Sequence, residues 1–459
     1  MNTPLEVAAC GRSAQTDATP DEDGPALASL NQLLFARLLP LLILAYVVSF
    51  IDRTNIALAK AQMAVDLGIS AAAYGLGAGL FFLSYAACEV PSNLIMHRVG
   101  ARFWITRIMV SWGLLSAGMA FVQGEWSFYA MRLLLGAAEA GLFPGVMLYL
   151  TYWFGLQARA RATGYFLMGV CIANIVSGPL AGALMQLEGL WGWHGWQWMF
   201  VLEGFPAVAL AAVVWRHLPD GPETAPWLAP EQRALLRRHL AHEQAQNRAQ
   251  TGGKGHEDEH ASAAQGLWVA VKDAQIWRAI AVYFCHQISI YTVIFFLPGL
   301  IGASGALSML QVGLLTAVPW LVAALGAAVF PQQATTPQRC RRLLWVGLLV
   351  MALGLAIAAQ GGPALALVGC CVTALMFFVV QPVLFLFPTS RLSGAALAGG
   401  IGLVNTVGLL GGFLGPSVMG LIEQQTGSTD HGMLIIAGLL VGAAGLSLGL
   451  RQGGEGARA

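Results

Sequence analysis

The sequence predicts an all-α integral membrane protein with twelve transmembrane helices arranged in two six-helix bundles. Apolar residues make up 57% of the 459 residues and charged residues only 10%, whereas about a quarter of the residues in a soluble domain are charged. Twelve stretches are long and apolar enough to cross a bilayer. One long polar tract, residues 217–275, separates six of these stretches from the other six.

The predicted spans follow from the length that a helix needs to cross a bilayer, about 20 mostly apolar residues. They are residues 34–58, 74–96, 103–122, 127–151, 163–186, 197–216, 277–300, 309–330, 343–360, 364–388, 396–422 and 432–450. The predicted domains are a disordered cytoplasmic tail (1–33), an N-terminal six-helix bundle (34–216), a cytoplasmic linker (217–275), a C-terminal six-helix bundle (276–450) and a second cytoplasmic tail (451–459).

The distribution of basic residues predicts the orientation. Short cytoplasmic loops are enriched in Lys and Arg. The connections after even-numbered spans carry arginines, such as Arg98 and Arg102, whereas Lys60 is the one basic residue in the connections after odd-numbered spans. We therefore expect the even-numbered connections, and with them both termini, to lie in the cytoplasm.

Several classes of function are excluded by composition and motif content. A net charge of +1 gives no basic surface for nucleic acid. The seven cysteines follow no metal-ligand or disulfide spacing, and the patch containing His256 and His260 has the composition of a solvated linker. The spans contain no nucleophile and base pair of the kind that catalysis requires. We expect no enzymatic activity, no catalytic residue, no metal and no cofactor.

Ionisable side chains inside the predicted spans are the first candidates for function, because each costs about 2.5–3.5 kcal/mol to insert into a bilayer. All of them lie in the first half of the chain: Asp52, Arg53, Glu89, Arg132, Glu139 and Glu203. Arg132 and Glu139 are two helical turns apart, so they share a face at a separation of about 10 Å. We therefore expect both to face one cavity.

These residue types suit the binding of an organic anion coupled to protons. An arginine offers a planar pair of donors to a carboxylate, and we expect Arg53 and Arg132 to bind the substrate. A buried carboxyl group can take up and release a proton, and we assign this role to Asp52 and Glu139. In the alternative interpretation, Asp52 with Arg53 and Arg132 with Glu139 form structural ion pairs. The roles of Glu89 and Glu203 remain open, with helix packing and gating as the two alternatives.

The second half offers polar groups instead of charges. Its candidates for the substrate site are Gln287, Tyr291, Gln381 and Asn405. His286 is either a hydrogen-bonded packing residue or, less readily, a proton carrier. Aromatic residues around Gln381 favour an apolar or aromatic body for the substrate over a polyhydroxylated one.

Seven segments spread over both halves carry a resemblance to a known family. They are FIDRTNIALA (50–59), EVPSNLIMHRVGARFWITRIMVSWG (89–113), MRLLLGAAEAGLFPGVMLYLTYWF (131–154), SGPLAGALM with GWQWMFVLEGFPAV (177–185 and 195–208), LPDGPETAPWL (218–228) and GLVNTVGLLGGFLGP (402–416). With them the chain resembles a major facilitator superfamily transporter of the anion:cation symporter branch, which includes phthalate, tartrate, hydroxyphenylacetate and sugar-acid permeases.

The resemblance implies roles for particular residues. The acid and arginine pair of the first span and the arginine and glutamate of the fourth serve substrate binding and proton coupling in similar proteins. The matching positions are Asp52, Arg53, Arg132 and Glu139, together with Tyr85 and Asn405. The chain departs from the family at His97, where an aspartate is usual, and the loop after the eighth span lacks an aspartate altogether. The cytoplasmic gate is therefore expected to use other contacts, with Glu89, Arg98 and Arg102 as candidates.

The sequence thus predicts a transporter of the bacterial inner membrane that imports an organic carboxylate, with aromatic acids and dicarboxylates as candidate substrates, by proton symport and alternating access. Its expected partners are the small organic anion, protons and membrane lipid, and we expect a monomer. Two alternatives remain: a proton-coupled exporter of metabolites or drugs, and a membrane sensor that binds its ligand without transport.

Overall fold

A computed structural model describes residues 24–250, 268–303, 305–392 and 394–452. Within these ranges the protein contains helices and no strands. Twelve helical segments are long and apolar enough to span a membrane, as the sequence predicts: α1 (Gly24–Leu67), α2 (Ala71–Val99), α3 (Ala101–Phe121), α4 (Glu125–Trp153), α5 (Leu156–Leu187), α6 (Gly195–His217), α7 (Ala274–Gly302), α8 (Met309–Gln333), α9 (Pro337–Ala358), α10 (Pro363–Arg391), α11 (Gly399–Thr426) and α12 (Asp430–Leu448).

Four of the spans are interrupted. Their separate helices are Gly24–Thr54 and Ile56–Leu67 in α1, Glu125–Glu139 and Leu142–Trp153 in α4, and Pro363–Ala374 and Phe377–Arg391 in α10. In α11 they are Gly394–Leu409, which begins ahead of the apolar span, and Gly411–Thr426. At the break in α4, Gly141 has a φ of 93°, which a residue with a side chain rarely adopts. The Ser92 hydroxyl donates to the carbonyl of Ala140, 2.8 Å away, so the break carries no unpaired carbonyl there.

The N-terminal tail is shorter than predicted. The first helix begins at Gly24, ten residues before the expected boundary, so residues 24–33 are helical rather than disordered. Leu30 and Leu34 occur one helical turn apart and are buried, and this packing extends the helix beyond the apolar stretch that marks the membrane span. The predicted tail residues 1–23 and 453–459 lie outside the described residues.

The polar tract between the bundles contains the linker helix, Pro230–Gln250. This helix and the residues just before it pack against the first bundle. Glu243 accepts a hydrogen bond from the backbone N–H of Leu156 at the start of α5, with a length of 2.9 Å, and Trp227 stacks on Trp153. The His256 and His260 patch falls outside the part of the chain that the structure describes.

The two bundles meet tightly on one face. We call the face with the start of α1 and the end of α12 the terminal face, and the opposite one the far face. Near the far face, Gly178 of α5 lies against Gly313 of α8, and Gly75 of α2 lies against Gly420 of α11. A Cβ atom at any of these four positions would overlap the backbone of the facing helix. Small residues therefore bring the helices into contact where lipid provides no hydrophobic driving force.

An ion pair also joins the bundles at the far face. The Lys60 ammonium at the end of α1 lies 2.7 and 2.5 Å from the two carboxylate oxygens of Glu423 in α11, and 4.5 Å from the ring centre of Phe296 in α7. Close by, the Tyr74 hydroxyl donates to the carbonyl of Phe295 over 3.2 Å. The structure is therefore closed at the far face by both packing and charge.

Replacing Gly313 with Val should open this closure. The side chain would meet the backbone of Gly178, and overpacking of this kind costs about 1–3 kcal/mol. We expect the rate of substrate uptake in proteoliposomes to fall between about fivefold and a hundredfold. Gly442→Val in α12 is the matched control, because a Cβ atom at Gly442 meets nothing within 4 Å. An uptake rate in Gly313→Val equal to that of the control would contradict the assignment.

Reversing one charge of the Lys60 and Glu423 pair should weaken the same closure. Lys60→Glu places two carboxylates together, which is unfavourable by several kcal/mol where water is limited, and we expect the uptake rate to fall about tenfold or more. The double variant with Lys60→Glu and Glu423→Lys restores the attraction and should recover at least half of the original rate. A double variant as slow as the single one would mean that the pair does not hold the bundles together.

Candidate functional site

The central feature of the first bundle is an ion pair between Arg53 of α1 and Glu139 of α4. The Arg53 Nη2 donates to the Glu139 Oε1. The Ser49 hydroxyl, one turn before Arg53 on the same helix face, donates to the same oxygen over 2.6 Å. Arg53 is 6% exposed and Glu139 1%, so water has little access to either charge. Both residues lie next to a helix break, since the helices end at Thr54 and at Glu139.

Aromatic rings enclose the Arg53 guanidinium. Its central carbon lies 4.5 Å from the ring centre of Phe50, 5.1 Å from that of Phe81 and 5.2 Å from that of Tyr85. Such contacts attract a cation through the ring quadrupole and replace its hydration shell with an apolar one. Within the described ranges, Glu139 is the one carboxylate that contacts Arg53. A ligand anion at this position would therefore compete directly with Glu139.

The second bundle completes the surroundings of Arg53. Tyr291 of α7 lies close enough to Arg53 for a direct electrostatic interaction, and its ring packs 4.2 Å from that of Phe82 in α2. Tyr283, two turns earlier on α7, accepts a hydrogen bond of 3.1 Å from the amide of Gln381 in α10. The predicted site residues Tyr85, Tyr291 and Gln381 are thus brought together at the seam between the bundles.

Sequence reasoning missed two tyrosines of this group. Tyr46 lies seven residues before Arg53 and interacts with it electrostatically, and its hydroxyl makes no hydrogen bond with any residue in the described ranges. Tyr283 lies four residues before Gln287 and eight before Tyr291. Both spacings return to the same helix face. Helical spacing relative to the residues already chosen was therefore the signal that would have identified them.

Arg132 is placed apart from Glu139, so the predicted alternative of a structural pair between them is not formed. Its guanidinium donates to the carbonyls of Gly77, at 3.1 Å, and Ala78, at 3.2 Å, in α2. It also lies 4.9 Å from the ring centre of Phe81, the ring that contacts Arg53. The two arginines are therefore neighbours across one aromatic ring, and Arg132 is held by backbone dipoles instead of a carboxylate.

Asp52 also lies away from Arg53, and the predicted pair between these neighbours is absent. Its Oδ2 accepts a hydrogen bond of 2.5 Å from the indole of Trp112 in α3. Successive residues of a helix point about 100° apart, which directs Arg53 to the seam and Asp52 into the bundle. Glu203 of α6 is nearby and accepts a 2.9 Å hydrogen bond from the amide of Asn55.

The three residues predicted for the gate lie in different environments. Glu89 is buried near Arg53 at the seam. Arg98 is exposed at the end of α2. Arg102 stacks on Trp215 of α6, 4.6 Å from its ring centre, and its backbone N–H donates to Asp220. Arg102 therefore connects the loop between α2 and α3 to the end of α6 within one bundle.

The remaining candidates of the second bundle are less tightly held. Gln287 is buried, and its Oε1 has no hydrogen-bond partner among the described residues. Asn405 is half-buried and forms no hydrogen bond in the described segments. The His286 Nε2 donates to the carbonyl of Phe377 over 3.0 Å, which is the behaviour of a packing residue.

Comparison with known proteins places this arrangement in a family. Residues 42–416 match the family model of the Major Facilitator Superfamily. A candidate tartrate transporter of Agrobacterium vitis is 40% identical over 421 residues, which cover 91% of this chain and 90% of the relative. The inner membrane transport protein RhmT of Escherichia coli is 37% identical over 406 residues, or 88% of this chain and 91% of RhmT.

A third relative has a different assignment. The quinolone resistance transporter of Acinetobacter baumannii is 37% identical over 404 residues, covering 87% of this chain and 90% of that protein. Among solved structures, a bacterial homologue of the human lysosomal transporter Spinster superposes with a TM-score of 0.72 at 18% identity, over 90% of this chain and 96% of that one. These matches confirm the resemblance that the sequence motifs indicated. The chain belongs to the Major Facilitator Superfamily and is a multi-pass membrane transporter rather than an enzyme.

Proposed function

We propose that this protein imports a small organic carboxylate together with protons, and that Arg53 binds the carboxylate. The observation that supports this proposal most directly is the ion pair of Arg53 with Glu139 at the seam between the bundles, because Glu139 is the one carboxylate among the described residues that forms an ion pair with Arg53. Removal of one partner of a buried ion pair costs about 3–5 kcal/mol, because the other charge remains unpaired. Arg53 therefore requires an anion at all times, and the substrate and Glu139 are alternative sources of it.

This competition couples the anion to a proton. When Glu139 takes up a proton it loses its charge, and Arg53 becomes free to bind a substrate carboxylate. When Glu139 loses the proton, it competes for Arg53 again and the substrate is released. Binding of the proton and of the anion therefore favour one another, and this coupling is reciprocal by thermodynamic necessity. Movement of one without the other leaves an unpaired buried charge, which suppresses a leak.

Arg132 and Asp52 have supporting roles in the proposed mechanism. Among the described residues, Arg132 donates hydrogen bonds to backbone carbonyls alone, so its positive charge remains available to attract an anion towards the seam. Asp52 is a second buried carboxyl group and directly precedes Arg53 in α1. We assign proton transfer to it. Hydrogen-bonding groups for the rest of the substrate come from tyrosine and amide side chains: Tyr85, Tyr291, Gln287, Gln381 and Asn405.

The proposed orientation places the terminal face in the cytoplasm of a bacterial cell. The arginines of the even-numbered connections support it, because short cytoplasmic loops carry the excess of basic residues. The far face, where Lys60 and Glu423 join the bundles, then faces the periplasm. A closed far face is the arrangement that an importer needs when it releases its substrate into the cytoplasm.

Export is the second candidate function, and one observation favours it: the relative from Acinetobacter baumannii is named for quinolone resistance. Alternating access operates in either direction, so the fold does not decide between the two. The direction of transport is found by asking whether an inwardly directed proton gradient drives the substrate into the vesicle or out of it. Uptake of labelled carboxylates into proteoliposomes, with and without an inwardly directed proton gradient, distinguishes them.

The labelled carboxylates tested for uptake should include aromatic acids, tartrate and sugar acids. Accumulation of one class that requires the gradient supports proton symport and identifies the kind of substrate. Efflux of a preloaded quinolone driven by the same gradient, without accumulation of any acid, would replace the proposal with export.

Glu139→Gln should separate anion movement from proton movement. The amide oxygen still accepts a hydrogen bond from Arg53 but takes up no proton in the physiological range. We expect gradient-driven accumulation to fall at least tenfold, while exchange of labelled for unlabelled substrate without a gradient stays within about threefold of the original rate. Glu231→Gln, at an exposed position of the linker helix, is the matched control. Accumulation that persists in Glu139→Gln would remove this residue from the coupling mechanism.

A further inference from the structure

Glu89 is a buried carboxyl group that the proposed mechanism leaves unused. It lies four residues after Tyr85 on α2, on the same helix face. At the seam it lies within electrostatic range of Arg53 from its own bundle and of Tyr283 from the other. Its side chain is 6% exposed in total, and its Oε2 has no hydrogen-bond partner in the segments that the structure describes.

Arg53 does not satisfy this carboxyl group: in the described segments its guanidinium donates to Glu139 and forms no hydrogen bond with Glu89. A buried polar atom without a partner is unfavourable, and nearly all such atoms in folded proteins are paired with protein or water. A carboxylate accepts hydrogen bonds and donates none. Glu89 therefore lacks a donor, at a position within electrostatic range of the arginine that binds the substrate carboxylate in the proposed function.

Neighbouring tyrosines extend this polar surface. The hydroxyls of Tyr46 and Tyr85 make no hydrogen bond with the described residues, and both side chains are buried around Arg53. The hydroxyl of Tyr283 is oriented by the amide of Gln381. The surface beside Arg53 is thus lined by hydrogen-bonding oxygens, and it is less suited to a hydrocarbon body than the sequence alone suggested.

We propose that Glu89 is a specificity residue that accepts a hydrogen bond from a substrate hydroxyl, so that the site selects hydroxylated carboxylates over their deoxy analogues. The proposal rests on the proposed function, since it assumes that the substrate carboxylate binds Arg53. A hydroxyl group next to that carboxylate supplies the donor that Glu89 lacks. A methylene group in the same place supplies none, and a second carboxylate would meet a like charge.

The expected difference in affinity between a hydroxylated acid and its deoxy analogue follows from the type of hydrogen bond. A bond to a charged acceptor changes affinity by about tenfold to a hundredfold. A site built to bond a hydroxyl group can discriminate even more strongly, because an analogue without it leaves the buried acceptor unpaired. We therefore expect at least tenfold tighter binding of a hydroxylated acid than of its deoxy analogue.

The test measures binding to the purified full-length protein without a proton gradient, so that a role of Glu89 in proton transfer does not interfere. Dissociation constants come from the rise in unfolding temperature with ligand concentration. Two pairs of acids serve as probes: tartrate with succinate, and glycerate with propionate. Within each pair the number of carboxylates is equal and only the hydroxyl groups differ.

In the unmodified protein each hydroxylated acid should bind at least tenfold more tightly than its partner. In Glu89→Ala the ratio should fall to within about threefold of one, through weaker binding of the hydroxylated acid. Glu89→Gln preserves the side-chain volume with a weaker acceptor and should lower the ratio at least threefold; it decides the question if the alanine variant does not fold. Glu231→Ala is the control and should leave the ratio unchanged.

Two results would overturn the inference while leaving the proposed function intact: acids that bind without discrimination by the unmodified protein, or a ratio that is unchanged in both Glu89 variants. A third result has a different meaning. If none of the four acids binds, and the uptake panel also shows no carboxylate transport, the proposed function fails and the role of Glu89 fails with it.

Discussion

The ion pair between Arg53 and Glu139 is the constraint on which the rest of the site depends. Both groups are removed from water, and each is stable in the membrane only while the other neutralises it. Ser49 orients the carboxylate and three aromatic rings surround the guanidinium, so water has little access to the pair. In the proposed function an anion and a proton together replace the pair, and neither does so alone. Under that proposal, the coupling of anion to proton is a property of this one contact.

The fold places the pair where it can be exchanged. Glycines of α5 and α8, and of α2 and α11, bring the bundles into contact near the far face, and the ion pair of Lys60 with Glu423 adds an electrostatic contact at the same end. Arg53 lies just inside this closure, with Tyr291 of the second bundle opposite. Separation of the bundles at the far face would expose the same residues to the other side of the membrane. One site thus serves both conformations.

The buried carboxyl groups divide by environment. Glu139 has a cationic partner, Asp52 and Glu203 accept hydrogen bonds from neutral donors inside the first bundle, and Glu89 retains an oxygen without a partner at the seam. The roles that we propose follow this division: Glu139 exchanges its partner, Asp52 transfers a proton, and Glu89 accepts a hydrogen bond from the substrate. The spacing of these residues along the sequence does not predict their different environments, because each environment depends on the neighbours that other helices supply.

The sequence alone determined the twelve spans, their division into two sets of six and the six ionisable residues in the first set, because the free energy of transfer into a bilayer depends on residue type and segment length. Only the tertiary structure decided the pairing. Arg132 and Glu139 share a helix face, yet they bind different partners, because the rotation of each helix and the helix that packs against it select which donor meets which acceptor. Tyr46 and Tyr283 became part of the site for the same reason.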